Sequence, residues 1–83
     1  MDFFYTKHQA VRGAKADAEV GDKVYLIKNV SQLRLTYQIK MLAYMAYERK
    51  LKLIIQLPKT AKIHDSLRNF VNGANGLIKI ERM

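Results

Sequence analysis

Two short apolar runs, Val24 to Val30 (VYLIKNV) and Leu51 to Leu57 (LKLIIQL), stand on either side of one stretch with helical patterning. Both runs are rich in β-branched and large aliphatic residues, which favour a pleated, buried setting. The first stays apolar until Lys28, as a central strand covered on both faces would. Between them, Leu35, Ile39, Leu42, Met45 and Ala46 recur at spacings of three and four and predict one helix over residues 31–49. Ser31 or Thr36 is suited to cap its start. A strand, a helix and a second strand after one short turn form a right-handed crossover joining parallel strands.

The rest of the chain is read against that unit. Pro58 stops the second strand and residues 59–63 are expected to be a loop. Residues 64–72 predict a short helix capped by His64 or Asp65, with Leu67, Phe70 and Val71 turned inward. Gly73 and Gly76 close it, and residues 77–81 predict a last strand. The expected order after residue 22 is β-α-β-α-β, a small α/β sandwich with a mixed sheet. Residues 1–22 are harder to read. Phe3, Phe4 and Tyr5 are expected to pack on the core, Ala14 to Val20 suits a helical turn or a strand, and Gly21-Asp22 suits a tight reversal into the first strand. There are no internal repeats, and no glycine-rich phosphate loop follows the first strand, where NVSQL stands.

Eighty-three residues make one domain, and a chain of this length buries only about 60% of its unfolded surface. Its hydrophobic content of 49% argues against disorder, and the absence of cysteine excludes disulfides and thiolate metal sites. No apolar run approaches the roughly 18 residues of a membrane span. The start, MDFFYTKHQAV, has acid before base and does not read as a secretory signal; it is expected to lie inside a longer protein.

The net charge of +8 is unevenly placed. Residues 23–58 carry seven lysines and arginines against Glu48 alone, a surplus that suits a polyanion partner, or else solubility or attraction to an acidic protein. Arg34, Tyr37, Lys40, Arg49 and Lys50 are the candidate nucleic-acid contacts, and Tyr37, Tyr44 and Tyr47 suit base stacking or simple packing.

Lys28 is the leading candidate for chemistry. A lysine leaving an apolar strand can stabilise charge developing on a phosphate, or can simply snorkel to solvent. Gln38, at the start of the helix, suits holding a water or a phosphate, or plain solvation. Asp17, Glu19 and Asp22 precede the strand and could supply oxygen ligands or serve as turn residues. His8 and His64 are far apart in sequence and suit proton transfer or a loop surface.

The run LIKNVSQLRLTYQIKMLAY, followed by LKLIIQLPKTAKIHDSLRNFVNGANGLIKIERM, resembles the restriction-endonuclease-fold toxin domains at the C-termini of large bacterial polymorphic and contact-dependent growth inhibition toxins. The resemblance covers residues 23–83. Its pieces are Lys28-Asn29-Val30, Thr36-Tyr37-Gln38-Ile39-Lys40, Leu67, and Ile78-Lys79-Ile80-Glu81-Arg82. It implies a PD-(D/E)xK-like endonuclease, a hydrolase in which aspartate and glutamate hold Mg²⁺ or another divalent metal and activate water against a phosphodiester of DNA or RNA. On this resemblance the catalytic residues are Lys28, Gln38 and Asp17, the upstream aspartate falls on Asp17 with Glu19 or Asp22 as alternates, and the metal ligands are Asp17 and Glu19. The glutamate of the motif falls on Leu26, which cannot bind metal. Three readings follow: another acid substitutes, the chemistry needs no metal and uses Lys28, Gln38 and a histidine on RNA, or the domain is an inactive binding module. The resemblance also implies secretion within a larger toxin, action in the target-cell cytoplasm and an acidic immunity protein as partner.

Overall fold

The computed structural model describes residues 16–83. Six strands and two helices follow in order: β1 (Ala18–Val20), β2 (Lys23–Ile27), β3 (Gln32–Leu33), α1 (Tyr37–Glu48), β4 (Lys52–Leu57), β5 (Lys62–Ile63), α2 (Asp65–Gly73) and β6 (Ile78–Arg82). The main sheet runs β1-β2-β4-β6. β1 pairs antiparallel with β2, and β2, β4 and β6 are parallel, so the sheet is mixed and the domain is α/β as its patterning predicts.

The reversal at Gly21-Asp22 is present, with Gly21 at φ 61°, where a side chain would be strained. The register sets Val24, Leu53 and Ile78 side by side, and then Leu26, Ile55 and Ile80. With Leu57, these residues face the helices. They meet Ile39, Leu42, Ala43 and Ala46 of α1 and Leu67 of α2 in one core. The opposite face carries Lys23, Tyr25, Ile27, Lys52, Gln56 and Lys79, and Ile27 is 52% exposed. The first strand is thus central in the sheet, and among the described residues its second face is partly covered, with Ile54 buried beside a half-buried Tyr25.

The structure departs from the sequence expectation at the start of the first helix and in the 59–63 loop. The helix begins at Tyr37, capped by Thr36, whose Oγ1 accepts the Ile39 N–H at 3.2 Å. Residues 31–36 are not helical, because Gln32 and Leu33 pair in parallel with Lys62 and Ile63. The Lys62 N–H donates to the Ser31 carbonyl and the His64 N–H to the Leu33 carbonyl. The 59–63 loop therefore carries a strand, and Leu33 enters the core from a pleat rather than a helix. His64 caps α2, its Nδ1 accepting the Ser66 N–H at 3.1 Å. The expectations for Phe3, Phe4, Tyr5 and His8 lie outside the described residues.

Candidate functional site

β2 and β4 run parallel through a crossover, so the start of α1 returns to the C-terminal ends of the strands. That end of an open α/β sheet is where ligands commonly bind. The Lys28 N–H extends the ladder by donating to the Gln56 carbonyl at 3.0 Å. Lys28 then lines a cavity of about 260 Å³ with Ile27, Asn29, Gln56, Leu57, Pro58 and Met83. Among the described residues it forms no ion pair.

Asp17 is brought to the same place from β1. Its N–H donates to the Tyr25 carbonyl at 2.9 Å, and its Oδ2 accepts the Ile27 N–H at 2.7 Å. The two bonds bracket Leu26 and hold a carboxylate one residue before Lys28. Gln38 sits half-buried in the first turn of α1, at this end of the sheet. Arg34, Tyr37 and Lys40 are exposed around that helix start.

Glu19 is directed elsewhere. Its carboxylate pairs with the Arg49 guanidinium at 2.9 Å, at the far end of α1. Arg49 and Lys50 lie a helix length from Tyr37, about 18 Å for twelve residues. Asp22 closes the hairpin at that far end, where its carbonyl accepts the Lys52 N–H. The candidate nucleic-acid contacts therefore fall into two groups, Arg34, Tyr37 and Lys40 at one end and Arg49 and Lys50 at the other.

A divalent metal needs several hard oxygen ligands. Near the Lys28 cavity, Asp17 bonds to the backbone of Ile27 and Glu81 accepts from Gln56, both of which line it, so each carboxylate already has one oxygen engaged. Leu26 is 1% exposed and packed in the core. Among the described residues no group of three His, Cys, Asp or Glu is placed to hold a metal.

Two features of this end escaped the sequence reading. Gln56 lies between Ile27 and Glu81 in register, and its Nε2 donates to Glu81 Oε1 at 3.1 Å. The signal was a glutamine inside LIIQL. Arg82 donates to the carbonyls of Pro58 and Ala61 and fastens β6 to the loop after β4. No helix among the described residues is long and apolar enough to cross a membrane. No family model, curated protein or solved structure matches this chain.

Proposed function

We infer that this chain is a toxin nuclease domain of the restriction-endonuclease kind, which hydrolyses phosphodiester bonds of nucleic acid in competitor bacteria and is neutralised by an acidic immunity protein. Its delivery within a larger secreted toxin and its action in the target cytoplasm belong to the same proposal. The observation that carries it is the meeting of the Asp17 carboxylate with the backbone beside Lys28, at a cavity over the ends of parallel strands.

In this reading the Lys28 ammonium binds a non-bridging phosphate oxygen and stabilises the charge that grows there during attack. Asp17, fixed by the Ile27 N–H, has a second oxygen left to accept a proton-bearing nucleophile and orient it. Gln38 offers an amide to the same phosphate or water, while Arg34 and Lys40 hold flanking phosphates and Tyr37 stacks on a base. No step is assigned to a metal.

A second reading rests on Leu26. A fully buried leucine in place of a ligand fits a domain that binds nucleic acid without cutting it. Incubation with plasmid DNA and with total RNA, each in magnesium and in chelator, separates the two. Cleavage in chelator that disappears in Lys28→Ala supports the metal-free hydrolase. Intact substrates under all conditions remove the hydrolase and leave the binding module.

A further inference from the structure

A second cavity, of about 270 Å³, opens at the opposite end of the sheet and is lined by Tyr47, Lys52, Ala74, Asn75 and Leu77. The rise of β4 separates it from the Lys28 cavity by about 17 Å. We propose that this cavity binds one nucleotide, with the base stacked on Tyr47, its edge read by Asn75 and its phosphate held by Lys52.

Each part has its own support. Tyr47 is 60% exposed at the end of α1 and lines the cavity, so its ring is open to a stacking partner there. The Lys52 Nζ donates to the Gly76 carbonyl at 3.2 Å, which holds the ammonium at the cavity while leaving two of its donors for an anion. Lys23 lies in register with Lys52 on the neighbouring strand, a like-charge pairing that is unfavourable without a counter-anion. Asn75 presents an amide with both a donor and an acceptor, as reading the edge of a base requires.

The two turns that frame this cavity are helix ends: Lys50 at φ 59° and Asn75 at φ 53° follow α1 and α2, and the Lys50 and Leu51 N–H groups donate to the Tyr47 and Ala46 carbonyls, as where a left-handed residue closes a helix. Asp22 and Glu48 are close in the chain, but Lys23, Lys50 and Lys52 outnumber them. An acidic peptide would satisfy the lysines and leave the ring and the amide unused, so a nucleotide fits the set better.

This inference goes beyond the hydrolase reading and stands without it. The test titrates adenosine monophosphate, a six-nucleotide oligodeoxyadenylate and an oligoglutamate into the ¹⁵N-labelled Lys28→Ala chain, which keeps the other cavity out of the result. The expected result is movement of the amide signals of Tyr47, Lys52, Asn75 and Leu77 with either nucleotide probe, with those of Lys28→Ala and Asn29 moving least for the monophosphate. Added Tyr47→Ala is expected to weaken binding about tenfold, and Tyr47→Phe to keep it within about twofold. Tighter binding of the oligomer identifies single-stranded nucleic acid as the source of the nucleotide, and equal binding identifies the free nucleotide. Unmoved amides, wild-type affinity in Tyr47→Ala, or equal shifts with oligoglutamate would overturn the proposal.

Discussion

Leu26 and Lys28 are two residues apart and have opposite fates, one sealed in the core and the other at a cavity. Leu26→Glu puts a carboxyl group where only apolar side chains surround it. It is expected to cost roughly 2–4 kcal/mol in a urea titration. Lys28→Ala removes an ammonium with no ion pair among the described residues, so its melting temperature is expected to stay close to wild type. On the proposed toxin reading, growth inhibition by the expressed domain is expected to vanish in the same variant. Retained inhibition would refute the role given to Lys28. At this scale the placement of Lys28 at a strand end was legible, because a cation ending an apolar run is a local signal. The sequence did not show that Asp17 would bond to the Ile27 N–H, since that contact spans ten positions and depends on a hairpin register. Nor did it show that Glu19 would be taken by Arg49, a partner thirty residues away.

Among the elements, α1 depends on a cap that its flanking sequence only half reveals. Ser31 and Thr36 are both good capping residues, and Thr36 holds the position because its Oγ1 reaches the Ile39 N–H. Thr36→Ala is expected to destabilise the domain by about 1 kcal/mol, measured by chemical unfolding. Ser31→Ala is expected to cost less, since the Ser31 bond to Lys62 uses its carbonyl rather than its side chain. β2, β4, α1, α2 and β6 were all legible, because each carries its period or its apolar run within its own residues. β3 and β5 were not. Each is two residues long, too short to display an alternation, and their pairing joins positions thirty apart. Leu33 and Leu35 also continue the apolar spacing of the helix, so the local pattern overran the true start. The Ser66 Oγ then locks this non-helical entry by accepting the Leu35 N–H at 3.1 Å.

For the whole molecule, the excess of fifteen lysines and arginines over seven acids predicts binding to polyanions that weakens with salt. If Lys28, Arg34 and Lys40 each displace one counterion, the logarithm of affinity is expected to fall with the logarithm of salt concentration at a slope of about −2 to −3. A flat response in a fluorescence titration would remove the phosphate contacts from the account. The sheet also has two unequal flanks. β1 is only three residues long, whereas β6 is five and ends the sheet among the described residues. Such a flank offers unmatched amides and carbonyls to any other chain that arrives extended. Lys79, Glu81 and Arg82 place charges along it, which discourages stacking into fibres. Replacing all three with threonine is expected to shorten the lag of thioflavin-positive aggregation in a shaken, concentrated sample. The shelf life of the domain would then depend on the same strand that completes its fold.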